Sequence, residues 1–152
     1  MNHVTRFLLI LFSATLLFQC NKDDVDRAKV DDEKIQQYLK DNNLTATKHE
    51  SGIYFIIGTP GSGGSPKLSS TVRVFYKGYF LDKKVFDQTA ATPVSFPLSN
   101  LIKGWQIAIP LLQKGGKGTF FIPSELGYGA FPPQGIPANA VLAFDIELVD
   151  FN

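Results

Sequence analysis

Hydrophobic and polar positions along this chain follow two different periods. Val72-Arg-Val-Phe-Tyr-Lys-Gly-Tyr-Phe80 alternates with period two. Val72, Val74, Tyr76, Gly78 and Phe80 point one way, and Arg73, Phe75, Lys77 and Tyr79 the other, the pattern of a strand with one buried face. Residues 141–149 alternate in the same way, with Leu142, Phe144, Ile146 and Leu148 on one face. Apolar runs at 52–58 and 117–123 predict two more strands. Asp82-Lys83 predicts a turn, with Val85-Phe-Asp87 starting the returning strand. The prolines that bound Pro93-Val-Ser-Phe-Pro97 suit a short edge strand. Gly- and Pro-rich stretches at 59–66 and 125–140 predict loops.

Helical period occurs in two places. In Leu101–Leu112 the large apolar residues Ile102, Trp105, Ile109 and Leu112 are spaced by 3, 4 and 3, so they share one face. This helix must be short, because Pro110 cannot donate to the Gln106 carbonyl and crowds it. Gly115-Gly116 then stops it. Upstream, Ile35, Tyr38 and Leu39, with Leu44 beyond, form a narrow stripe that predicts an amphipathic helix over roughly 26–41, ended by Asn42-Asn43. The class is therefore α+β: about five antiparallel strands in a twisted sheet wrapped on one short central helix, with an N-terminal helix in addition. Trp105, the only tryptophan, is then either an ordinary core residue or the floor of a hollow between helix and sheet.

Composition narrows the chemistry. The 152 residues, 44% of them hydrophobic, suit one globular domain plus some sequence outside its core. A net charge of +1 with no basic run excludes a nucleic-acid footprint. His3 and His49 with a single cysteine cannot build a zinc site, and one histidine in a polar linker does not suggest a Ser-His-Asp relay. Gly115-Gly-Lys-Gly-Thr119 lacks the Ser or Thr after lysine that a phosphate-binding loop needs, and a strand follows it instead of a helix. What is left is an aromatic set, Tyr76, Phe86, Phe96, Trp105, Tyr128 and Phe144, with the carboxyl of Asp87 beside Phe86. An apolar hollow with a few polar groups at its rim describes a binding pocket rather than a hydrolase.

The N-terminus reads separately. Arg6 precedes a 12-residue apolar run, Phe7 to Phe18, short of the ~20 residues that cross a bilayer but suited to the core of a secretory signal. Leu17-Phe-Gln-Cys20 resembles a bacterial lipobox, with Gln19 where a small residue is usual. Residues 1–19 are thus expected to be a signal peptide and Cys20 a lipidated N-terminus, held to the membrane by acyl chains at about 0.8 kcal/mol per buried methylene. Removing 1–19 takes away Arg6 and no acid, leaving 14 basic and 14 acidic side chains. Residues 20–25 form a tether whose Lys22-Asp-Asp24 resembles signals that send some Gram-negative lipoproteins to the cell surface. The expected location is the cell envelope, as a lipoprotein of the outer membrane facing the periplasm or the outside. Residues 26–50 supply the N-terminal helix and a linker.

Five blocks carry a family resemblance. Val74-Phe-Tyr-Lys-Gly78, Val85-Phe-Asp87, Ile102-Lys-Gly-Trp105, Pro123-Ser-Glu-Leu-Gly-Tyr-Gly129 and Leu142-Ala-Phe-Asp-Ile-Glu-Leu148 look like the successive signatures of FKBP-type peptidyl-prolyl cis-trans isomerases. They stand in the family's order and spacing across roughly residues 51–152, which would be the isomerase domain. The resemblance implies a pocket floored by Trp105, with Tyr76, Phe86 and Phe144 as walls and Leu101, Ile102 and Ile136 completing them. Asp87 would be the rim carboxylate and Tyr128 the donor to a substrate carbonyl, the two catalytic side chains, with Phe96 among the substrate-binding aromatics. It implies proline-containing polypeptide segments as partners, no cofactor or metal, and action as a monomer. Val94 stands at a wall position often aromatic in the family, the loop 130–136 is slightly shorter and lacks a histidine, and Asp82-Lys83 replaces the common Asp-Gly turn. Two other readings use the same residues: a module that binds proline segments without turnover, as a chaperone or adaptor, and a structural surface lipoprotein of β-sandwich type with no aromatic hollow.

Overall fold

The computed structural model describes residues 26–152; the expected signal peptide, Cys20 and the tether up to residue 25 lie outside the described residues. In chain order the elements are α1 (Arg27–Asp41), β1 (Thr47–Lys48), β2 (Tyr54–Thr59), β3 (Thr71–Phe80), β4 (Val85–Gln88), β5 (Val94–Pro97), α2 (Lys103–Ala108), β6 (Lys117–Ile122) and β7 (Leu142–Phe151), with 3-10 turns at 98–100, 109–111 and 124–126. One antiparallel sheet runs β1-β2-β6-β7-β3-β4, and β5 also pairs with β3. Seven strands stand where about five were expected. Part of the difference is β1, whose two residues are too few to show a period. β3 is long enough to pair twice on one edge, with β5 along Thr71–Val74 and with β4 along Lys77–Tyr79, the strands expected at 93–97 and 85–87.

The alternation places side chains as the pattern requires. On the inner face Val72, Val74, Phe120, Ile122, Leu142, Ile146 and Leu148 pack with Leu98, Ala108, Ile109 and Leu112 around α2, nearly all fully buried. Pro110 does what its chemistry demands: α-helical turns stop at Ala108, and Ile109–Leu111 continues as a tighter 3-10 turn closed by Leu112 N–H donating to the Ile109 carbonyl at 3.0 Å. The helix is thus six residues long, and the chain turns back at once into β6.

On the outer face α1 covers only one end of the sheet. Asp26 caps it, accepting from Lys29 N–H at 3.2 Å, and the Asn42 side chain donates to the Tyr38 carbonyl at 2.8 Å. Its stripe sets Ile35 and Leu39 against Tyr54, Phe121, Val141 and Ala143, with the Tyr38 and Phe121 ring centroids 5.4 Å apart. The other end stays open and is polar. Lys77 pairs with Asp145 at 3.4 Å and Lys117 with Glu147 at 2.9 Å, both directly across the strands, and Thr119 Oγ1 donates to Asp145 at 2.8 Å. Such half-exposed pairs contribute up to about 1 kcal/mol each; their larger effect is to keep the open face wettable.

Candidate functional site

The inner face does not close completely. Beside α2 a hollow of about 170 Å³ is lined by Tyr76, Phe86, Asp87, Phe96, Leu101, Ile102, Trp105, Tyr128 and Phe144. Trp105 is 4% exposed. Three rings stand nearly perpendicular to its indole: Tyr76 at 5.2 Å and 82°, Phe144 at 5.3 Å and 88°, Phe96 at 6.3 Å and 86°. Phe86 meets Phe144 edge-on as well, at 5.6 Å and 89°. Edge-to-face contacts are the favoured aromatic geometry, and flat rings set at right angles leave a flat-walled gap that aliphatic side chains would fill.

The elements deliver these groups in distinct ways. Tyr76 and Phe144 come from the inner faces of the paired strands β3 and β7. Phe86 and Asp87 are neighbours, so strict alternation would send them to opposite faces. A bulge prevents this: Gly78 pairs with Asp87 and Tyr79 with Val85, which leaves Phe86 as the extra residue, and both side chains line the hollow. Gly78 is where the strand pattern loses a side chain. A Cβ there would lie 2.7 Å from Phe86 Cζ and 2.8 Å from Phe144 Cε1, so the glycine makes room for two walls. Gly104 serves α2 likewise, since any Cβ would collide with Ile122 beneath it. The segment bearing Leu101 and Ile102 is held by Gln106, whose Nε2 donates to the carbonyls of Leu101 at 2.7 Å and Ser99 at 3.1 Å.

Two hydroxyls and one carboxyl supply the polar chemistry. Tyr76 Oη donates to Asp87 Oδ2 at 2.7 Å. Burial first, and the bond to Asp87 second, hold the Tyr76 hydroxyl well above the usual tyrosine range. Tyr128, 37% exposed at the rim, is also raised, by burial and then by the negative charge of Asp87. Its hydroxyl therefore keeps its proton, as a donor, throughout the neutral range. Trp105 Nε1 is buried and has no hydrogen-bond partner among the described residues; because that N–H is buried, the indole presents its ring carbons at the floor.

Nine of the ten pocket residues expected from sequence thus meet in one hollow. Ile136 does not. It lines an adjoining hollow of about 290 Å³ with Phe80, Lys84, Val85, Gln134 and Gly135, sharing Phe86, Asp87 and Tyr128 with the first. The loop carrying it is folded back by Asn139 N–H donating to the Gly129 carbonyl at 2.8 Å, a contact invisible in a loop without period. Val94 is 40% exposed on β5 and is absent from the lining, which leaves that side open. Sequence reasoning missed the shaping residues Gly78, Gly104 and Gln106. A glycine within an alternating strand was the available signal for the first; nothing local marked the other two.

Comparison with known proteins agrees with this geometry. Residues 63–149 match the family model of FKBP-type peptidyl-prolyl cis-trans isomerases. The chain is 37% identical over 133 residues to the FKBP-type peptidyl-prolyl cis-trans isomerase FkpA of Aeromonas hydrophila, covering 86% of this chain and 49% of that protein. The FkpA of Escherichia coli strain K12 is also 37% identical, over 131 residues. This chain thus spans about half the length of these relatives. The crystal structure of Escherichia coli FkpA superposes with a TM-score of 0.74 at 36% identity, over 84% of this chain and 61% of that one. A peptidyl-prolyl cis-trans isomerase from Pseudomonas syringae pv. tomato, at 29% identity and a TM-score of 0.70, is covered over 96% of its length and covers 82% of this chain. Fold, aromatic hollow and sequence together make this chain a member of the FKBP-type peptidyl-prolyl cis-trans isomerase family.

Proposed function

We propose that the chain is a working peptidyl-prolyl cis-trans isomerase that assists the folding of extracytoplasmic polypeptides. The observation that carries this reading is one small hollow walled by edge-on aromatic rings, with a protonated hydroxyl, Tyr128, at its rim. At about 170 Å³ the hollow lies below the ~300 Å³ floor of small-molecule sites and suits a single side-chain ring.

Rotation about an X-Pro bond faces a barrier of about 18–20 kcal/mol from amide resonance, so unaided exchange takes tens to hundreds of seconds. Water favours the charge-separated resonance form that the twisted state has lost. Seating the proline ring on Trp105 between Tyr76, Phe86 and Phe144 takes the imide out of water and favours the twisted state. Tyr128 donates to the substrate carbonyl, and any strengthening of that bond on twisting lowers the barrier by differential binding. Asp87, held by Tyr76, helps keep Tyr128 protonated. About 1.36 kcal/mol of such preference is worth tenfold in rate.

The pocket is complete within one chain, which supports action as a monomer. Arg6, the apolar run 7–18 and Cys20 support export and lipid anchoring at the cell envelope, with the outer membrane as destination and proline-bearing segments of unfolded chains as partners. Cys20→Ser is expected to abolish palmitate labelling and release the protein from the membrane fraction.

The direct test is refolding of a substrate protein limited by proline isomerisation. The purified protein is expected to accelerate it, and Asp87→Ala and Tyr128→Phe to slow that acceleration. A folded protein that binds proline peptides without accelerating their exchange would point instead to a binding module.

A further inference from the structure

One fully buried polar pair lies away from the hollow and has no part in the mechanism above. Asp31, on α1, and Ser124, at the start of the 124–126 turn, are both 0% exposed. Asp31 Oδ2 accepts twice from this one residue, from Ser124 N–H at 2.8 Å and from its hydroxyl at 2.5 Å. Its Oδ1 has no hydrogen-bond partner among the described residues and lies 3.8 Å from Lys34 Nζ. Burying a carboxyl is costly, and α1 is already docked by Ile35 and Leu39. Packing alone therefore does not account for Asp31.

The partner's position suggests the reason. The Ser124 carbonyl accepts from Gly127 N–H at 3.0 Å and from Gly129 N–H at 2.9 Å, the two residues that flank Tyr128. Gly129 adopts φ +61°, a conformation that side chains rarely take. The Tyr128 turn is thus hung from Ser124, and Ser124 is clamped through both its N–H and its hydroxyl by Asp31, 93 residues earlier. Asp31 also precedes the stretch matched by the family model, 63–149.

We infer that Asp31 is a positioning residue for Tyr128, and that α1 is part of the isomerase site rather than only a spacer before it. The inference rests on the proposal that the Tyr128 hydroxyl acts on the substrate. A phenol displaced by even a fraction of an ångström misses a carbonyl held on a rigid aromatic floor, and misplacements of about 1 Å can cost up to a hundredfold in rate.

The test uses the full chain and two readouts. In Asp31→Ala, amide hydrogen exchange at Gly127 and Gly129 is expected to quicken about tenfold by local opening, while Phe120 and Ile146 in the sheet keep their protection. Isomerase kcat/KM is expected to fall about tenfold, with Asp31→Asn, which retains an acceptor oxygen, recovering part of the loss. In a Tyr128→Phe background Asp31→Ala should cost nothing further, because both act through one hydroxyl. Should Asp31→Ala fail to fold, Ser124→Ala removes one of the two bonds and is read in the same way. Unchanged exchange at Gly127 and Gly129, exchange quickened uniformly across the sheet, or additive losses in the double variant would each overturn the inference. A wild-type protein without isomerase activity would overturn the functional reading of the hollow, and the exchange measurement would still decide whether Asp31 holds the Tyr128 turn.

Discussion

The two faces of the sheet are finished in opposite ways. Outside, the fifteen-residue α1 lays aliphatic Ile35 and Leu39 on Tyr54, Phe121, Val141 and Ala143, and all six of these side chains are buried. Inside, the six-residue α2 brings up a tryptophan, and the rings around it meet edge-on and leave a gap. Both helix–sheet contacts are apolar, so hydrophobicity does not separate scaffold from site. Shape does: branched aliphatic side chains interdigitate to close packing, whereas perpendicular rings around a helix cut short by Pro110 cannot. The gap is tolerable because the rest of the inner cluster, from Val72 to Leu148, is fully buried and carries the stability.

The sharpest way to break this contrast is to truncate one large residue on each face. Trp105→Ala should destabilise by about 3–5 kcal/mol and abolish isomerase activity. Leu39→Ala, at the end of α1 remote from Asp31, should cost about 2–4 kcal/mol by denaturant titration and leave kcat/KM of the folded protein unchanged. Next in size, Tyr128→Phe should lower kcat/KM by about tenfold to a hundredfold, the loss of one hydrogen bond of ~1–3 kcal/mol, with the melting temperature unmoved because the side chain stands at the rim. Gly78→Ala pushes the Phe86 and Phe144 rings aside. It should cost about 1–3 kcal/mol as overpacking does and slow the enzyme, while Gly63→Ala, at a φ of +87° on an open loop with no neighbour within 4 Å, should affect stability only.

The smallest effect is on pH. All five tyrosines are raised, in each case chiefly by burial. The folded protein then keeps phenolic protons that the unfolded chain releases above about pH 10. That contribution is fully present below this pH and is lost as pH rises through the raised values. Stability measured from neutral pH to about pH 9 should therefore show no tyrosine-linked decline, and fall above about pH 10.

Much of this was legible in the sequence because period reports burial. The alternation of Val72 to Phe80 and of Leu142 to Leu148 put Tyr76 and Phe144 on inner faces, and the 102–105–109–112 spacing put Trp105 on the buried face of its helix; that these meet as walls and floor was implied by the family resemblance. What stayed hidden depends on pairing rather than on period. The bulge that turns Phe86 and Asp87 to one side exists only because β4 pairs with β3 out of step. Ile136 stands in the adjoining hollow rather than the first, because its loop is shaped by backbone bonds between Asn139 and Gly129, Ile136 and Pro133, and Ala140 and Pro137. The link from Asp31 to Ser124 spans 93 residues, and no local pattern announces a buried acid's partner.

The central claim is that the aromatic hollow of the inner face, and not the contact between α1 and the outer face, performs the isomerisation. It is tested most directly by measuring kcat/KM on one proline-containing peptide for the wild type, Tyr128→Phe and Leu39→Ala. The account predicts clear acceleration by the wild type, a loss of about tenfold or more in Tyr128→Phe, and wild-type rates in folded Leu39→Ala. No acceleration by the folded wild type, or a Tyr128→Phe protein as fast as its parent, would contradict it.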